Sequence, residues 1–289
     1  MKTPPSRPTR SVVDAAPSAT SGPELVIVGS GKGGVGKSTL ATTVADLWTL
    51  AGQPFRPFQV DDQQRLGAML GSRVATILPD LEAVMRTPRA LTNPFASLYN
   101  ACAGAAQSKS CVLLDVGANR TELTAMWARM AELDEDLAVW RISAVVLVPA
   151  VIESEALRQA ADTIRLFGEA LPGARIAFVE NQRDGRLTDL KPRSEAATVW
   201  RDALQPMLEA PGRSHLVMQL IGADAWSSYE NHSLRFIKAM SLPPIEAAAL
   251  LGEEVSEAKI MRSAVTAYMR AMRIELARVV PSVISPESV

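Results

Sequence analysis

The feature that most constrains this chain is a glycine-rich loop set between an apolar run and a helical pattern. Leu25-Val26-Ile27-Val28 reads as a short buried strand, and Gly29-Ser30-Gly31-Lys32-Gly33-Gly34-Val35-Gly36-Lys37-Ser38-Thr39 follows it. From Lys37 to Leu50 the apolar residues Leu40, Val44, Leu47 and Trp48 recur at helical spacing. Gly31 to Ser38 fits G-x-x-x-x-G-K-S without a mismatch, in the strand–loop–helix setting that a phosphate-binding loop requires. The glycines let the backbone take positive φ and approach an anion with no Cβ in the way. The loop amides and the positive end of the following helix then converge on phosphate oxygens. In such a loop Lys37 would bridge the β- and γ-phosphates of ATP, and the Ser38 hydroxyl would ligate Mg²⁺.

A second pattern overlaps the first. Gly29-x-Gly31-x-x-Gly34 also fits the dinucleotide fingerprint, which wants an acid about 20 residues further on. The first acids at a strand end, Asp61 and Asp62, stand roughly 30 residues on, and this reading leaves Lys37 and Ser38 without a role.

Lys32 narrows the reading. Lys32-Gly33-Gly34-Val35-Gly36-Lys37-Ser38-Thr39 resembles the deviant Walker A motif of the ParA/MinD family of ATPases. The resemblance implies a nucleotide site at Gly31, Lys32, Gly33, Gly34, Val35, Gly36, Lys37, Ser38 and Thr39. It also implies that Lys32 reaches across a two-fold dimer to the phosphates held by the other subunit. It extends, with gaps, over roughly residues 24–240.

Further along, Phe55-Arg56-Pro57-Phe58-Gln59-Val60 reads as a second strand, with Pro57 marking an irregular start or an edge. It runs into Asp61-Asp62-Gln63-Gln64, which resembles the family's switch segment D-x-D-P-Q but differs in spacing and lacks the proline. Either acid would orient the attacking water, and Asp62 would hold Mg²⁺ through water. An N-cap at Asp62 is the structural alternative. Ser110-Cys111-Val112-Leu113-Leu114-Asp115 is an apolar run ending in an acid, the form of a buried parallel strand that delivers a Walker B aspartate to the Mg²⁺ shell. Gly117 follows, where the family's usual proline is missing; its amide would face the γ-phosphate. Ser143 to Pro149 and Arg175 to Asn181 read as two more strands, and the resemblance places Asn181 against the adenine.

Strand and helix signals alternate throughout, which predicts an α/β fold: a doubly wound, mostly parallel sheet with helices on both faces and a helical C-terminal end. The expected division is a disordered tail over 1–23, rich in Pro, Ser, Thr and Ala; an ATPase domain over 24–254; and an amphipathic helix with a tail over 255–289. In that last helix Ile260, Met261, Val265, Tyr268, Met269, Met272, Leu276 and Val279 form the apolar stripe. Such a stripe binds membrane in MinD-type relatives, but packing on its own domain or a partner helix is the plainer expectation. Arg65, Arg73, Arg86 and Arg89, and the group Arg183, Arg186, Lys191 and Arg193, read as solvated faces. His215 and His232 have no acid or thiol at useful spacing and read as structural.

With 289 residues and a net charge of −1, the chain has no global pull toward nucleic acid or membrane. Cys102 and Cys111 match no metal spacing and read as thiols in a reducing cytoplasm. The expected function is an ATP-dependent dimerising switch, a slow ATPase. The resemblance implies a homodimer with ATP, a protein partner, and cargo positioning, plasmid partition or conjugal transfer. It leaves nonspecific DNA contact open. The irregular acids at Asp61 and Asp62 motivate a second reading, a nucleotide-binding scaffold with little turnover.

Overall fold

The computed structural model describes residues 22–222 and 225–284. The tail expected over 1–23 therefore lies almost wholly outside the described residues; beyond the last helix, residues 278–284 are described and 285–289 are not. Seven parallel strands form one sheet: β1 Glu24–Gly29, β2 Phe55–Val60, β3 Ala75–Thr76, β4 Cys111–Val116, β5 Ser143–Ala150, β6 Arg175–Asn181 and β7 Arg213–Met218. Their order across the sheet is β3-β2-β4-β1-β5-β6-β7.

Helices cover both faces because alternate residues of each central strand point opposite ways and both sets are apolar. Leu25 and Ile27 of β1 join one core with Leu114, Val146 and Phe178, under the helices Thr92–Ala103, Thr121–Met130 and Ser154–Ala170. Val26 and Val28 join the other core with Leu113, Val145 and Val179, under the helices Lys37–Leu50 and Val255–Ala277. The C-terminal stripe is spent here: Met261, Val265, Tyr268, Met269, Met272, Leu276 and Val279 are buried in this second core. Ile260 departs from the expected stripe and is 54% exposed. No described helix is long and apolar enough to cross a membrane.

Pro57 fits its place. β3 pairs only with Phe58 and Gln59, so β2 is an edge strand where the proline stands, and its missing N–H disrupts no ladder on that side. β1 lies between β4 and β5, where the chain's winding reverses direction. The carboxyl end of β1 is thus the switch point of the sheet, the place where α/β folds of this type hold ligands.

Candidate functional site

The loop leaves β1 at Ser30 and enters the helix Lys37–Leu50 through Gly36, whose φ of 91° is left-handed. Gly34, with φ 76°, is the other left-handed glycine of the loop. The amides of Gly33, Gly34 and Gly36 find no hydrogen-bond acceptor among the described residues. Unpaired donors at a helix N-terminus are what an anion would satisfy.

Three supports hold the loop. The Gly31 amide donates to Thr163 Oγ1 at 3.1 Å, and a Cβ on Gly31 would stand 2.3 Å from the Gln159 carboxamide. Asn181 Nδ2 donates to the Val35 carbonyl at 3.0 Å, and Arg183 Nη1 donates to the Gly34 carbonyl at 2.7 Å. Lys37 turns back over the loop and donates to the Lys32 carbonyl at 2.6 Å. Burial lowers its pKa, against the charges of Asp115 and Asp61, which raise it.

Ser38 Oγ donates to Asp115 Oδ2 at 2.9 Å, bringing the first turn of the helix to the end of β4. A doubly wound parallel sheet thus carries a phosphate-loop sequence at its switch point, with an acid from the neighbouring strand beside it. Asp115 is 2% exposed. Burial pushes its pKa up to about 6, while the Ser38 hydrogen bond and the Lys37 charge pull the other way. A serine hydroxyl and a carboxylate side by side are the hard oxygen donors that Mg²⁺ accepts. No group of three or more His, Cys, Asp or Glu suited to a metal is present among the described residues. Two such donors fit an ion that takes the rest of its shell from phosphate and water, as Mg²⁺ does.

The expected switch residues sit on the same cleft, which has a volume of 1150 Å³ and is lined also by Asn181, Met218 and Gly117. Asp61 Oδ1 accepts from the Gln63 amide at 3.2 Å. Asp62 is not an N-cap; Gln64 precedes the helix Arg65–Leu70. Instead Asp62 accepts from Arg120 Nη2 with both oxygens, at 2.9 and 2.7 Å. The Gly117 amide donates to the Val60 carbonyl at 2.9 Å, so here it faces β2 and not the loop. The Lys32 side chain is about one-third exposed and, among the described residues, its ammonium pairs with Glu153 Oε1 at 3.5 Å.

Some readings need correction. Arg65 and Arg183 line the cleft and are not merely solvated face. His215 does have an acid partner: Glu180 Oε2 on the neighbouring strand lies 3.0 Å from its Nε2. Parallel strand pairing brought these residues together across a crossover that sequence spacing cannot reveal. Sequence reasoning also missed Arg120, Gln159 and Thr163. The only cue to Arg120 was its place three residues beyond Gly117, and no motif marks the other two.

No family model matches the chain, and no curated protein matches it. Among solved structures it is similar to the MinD cell division protein of Aquifex aeolicus. That alignment covers 86% of this chain and 97% of the other, at 17% identity and TM-score 0.42. The MinC:MinD cell division protein complex of the same organism aligns over 86% and 96%, at 15% identity and TM-score 0.41. An ATP complex of a Cyanothece McdA variant aligns over 87% and 97%, at 13% identity and TM-score 0.40. Likenesses this distant carry no argument about function, which rests on the site.

Proposed function

We propose that this protein is an ATP-driven switch of the ParA/MinD kind, a slow ATPase whose two copies close face to face around Mg-ATP. The observation that carries the reading is the Ser38–Asp115 hydrogen bond beneath a loop of unpaired amides. In this reading Gly31 to Thr39 hold the phosphates, and Lys37 spans the β- and γ-phosphates. Ser38 and Asp115 hold Mg²⁺, which neutralises charge on the phosphate oxygens. Asn181 supports the loop from below and borders the base. Lys32, partly exposed beside the loop tip, reaches into the partner subunit.

Of the two acids after β2, Asp61 orients the attacking water. Its charge acts on both Lys37 and Asp115, whereas Asp62 is taken by Arg120. The setting is the cytoplasm, supported by two buried free thiols, Cys102 and Cys111. The resemblance in the loop carries the further proposal of cargo positioning, including plasmid partition or conjugal transfer, through a protein partner.

A second reading has its own observation. With Asp62 paired to Arg120 and the Gly117 amide paired to Val60, this conformation favours a nucleotide-binding scaffold that turns over little. Calorimetry with Mg-ATP tests the common ground: wild type binds and Lys37→Ala does not. Steady-state phosphate release then separates the readings. Turnover that disappears in Asp61→Ala supports the switch; no turnover in wild type supports the scaffold. Absence of any heat with Mg-ATP sinks both.

A further inference from the structure

Arg120 belongs to no motif, yet it stands at the centre of the switch segments. It ends the short turn Ala118–Arg120 between β4 and the helix Thr121–Met130. Its side chain is only 12% exposed, while that of its partner Asp62 is 64% exposed. The pairing is end-on: Nη2 alone reaches both carboxylate oxygens. Nη1 is buried and has no hydrogen-bond partner among the described residues. A guanidinium carries donors in a fork that suits two oxygens side by side, and a buried cationic donor left unpaired is costly. The fork is therefore half used.

The cleft that Arg120 lines supplies a reason. Arg120 lies beyond β4 and lines the same cleft as Lys37, Ser38, Asp115 and Gly117. Asn181 and Met218, at the ends of β6 and β7, line the cleft on the opposite side of β1. A triphosphate held on the loop lies in the same cleft as Arg120.

We infer that Arg120 is a sensor of the terminal phosphate, acting within its own subunit. Asp62 holds the guanidinium until the terminal phosphate of a nucleoside triphosphate competes for it; the transfer satisfies Nη1 and frees Asp62 at the end of β2. A diphosphate lacks the competing oxygens and leaves the pair closed. This deepens the proposed nucleotide switch and rests on it.

Calorimetry on the full chain with Mg²⁺, comparing ADP with a non-hydrolysable ATP analogue, tests the inference. Arg120→Ala is expected to weaken the analogue about 10- to 100-fold, the worth of a charge-assisted contact, and to leave ADP unchanged. Asp62→Asn removes the competitor and is expected to tighten the analogue alone, which keeps the test open should Arg120→Ala fold poorly. A third variant, Asp62→Arg with Arg120→Asp, rebuilds the ion pair with its ends exchanged and is expected not to restore the triphosphate preference. Equal losses of ADP and analogue in Arg120→Ala, or full rescue by the exchange, would reduce Arg120 to a structural link and overturn the inference while the nucleotide site stands. Wild type that binds neither nucleotide overturns the site and the sensor together.

Discussion

Ser38 Oγ donates a hydrogen bond to Asp115 Oδ2 across 2.9 Å, joining the helix that follows the phosphate loop to the strand beside β1. The contact pulls the Asp115 pKa down, against a larger upward push from burial. Asp115 carries a pKa of about 6 instead of 3.8, chiefly because it is buried.

The folded carboxyl thus holds its proton more tightly than the unfolded chain does. The stability this confers is complete below the unfolded value of 3.8 and is lost as pH rises through about 6. Above that, the ionised buried group costs the fold. Asp115→Asn should therefore melt higher than wild type at pH 8, by on the order of 3 kcal/mol at most. The gap should close as the pH falls toward 4. Thermal melts across that range check it. Identical melts at pH 8 would mean Asp115 pays no burial penalty. In wild type, the Mg²⁺-dependent part of nucleotide binding should weaken as pH drops through about 6.

Gly36 offers a sharper test of the loop. Its φ is 91°, and a Cβ there would stand 2.6 Å from Asn181 Nδ2 and 2.9 Å from Met218 Cε. Gly36→Ala strains the left-handed backbone, at about 1–3 kcal/mol, and in addition pushes against Asn181, which holds the Val35 carbonyl. The melting temperature should therefore fall and Mg-ATP binding should be lost. Gly33→Ala is the control, since nothing lies within 4 Å of its added Cβ. It should melt like wild type. If both variants melt alike, the loop is not held in this shape.

The contrast between these residues and Arg120 marks what the sequence discloses. The loop, Lys37, Ser38 and Asp115 are legible because local chemistry forces them: glycines for positive φ, an apolar run for a buried strand, an acid at its end. The doubly wound sheet is legible for the same reason, since β1, β4 and β5 are apolar on both faces. Contacts made by crossovers are not. Arg183 reaches Gly34, Thr163 takes the Gly31 amide, and His215 meets Glu180 only because the strand order places β5, β6 and β7 beside β1 in turn. Between β2 and β4, apart from the helix Thr92–Ala103, the elements are too short to show a period. β3 holds two residues, and the helices Arg65–Leu70 and Leu81–Arg86 hold six each.

The helix that carries the loop is also tied to the C-terminal part of the chain by a buried charge. Asp46 is fully buried, and it accepts from Arg235 Nε at 2.7 Å and from the Ile237 amide at 3.1 Å. Burial raises its pKa, and the Arg235 charge opposes the rise. Arg235→Met strands this carboxylate and should cost about 3–5 kcal/mol in denaturant unfolding at pH 7. Pairing it with Asp46→Leu should recover much of the loss, because no charge is then left in the core. A double variant as unstable as Arg235→Met would place the damage elsewhere, in the lost stem packing of the arginine.

In the proposed switch, Lys32 serves the site of the second copy. Its contact with Glu153 is 3.5 Å long and exposed on both sides, a pair worth roughly 0–1 kcal/mol, so little holds the lysine to its own subunit. Gly33 and Gly34 beside it are exposed, which leaves the loop tip open to a second molecule. Light scattering with a non-hydrolysable ATP analogue should report a doubled mass for wild type and an unchanged mass with ADP. Lys32→Ala should stay at the monomer mass while still binding the analogue through Lys37 and the loop amides. Glu153→Ala removes the weak tether and should dimerise at least as well as wild type. A Lys32→Ala protein that doubles its mass as readily as wild type would confine the lysine to its own subunit. Loss of analogue binding in the same variant would instead make Lys32 part of the subunit's own phosphate cradle, since a lysine that serves only the partner leaves the monomer's affinity intact.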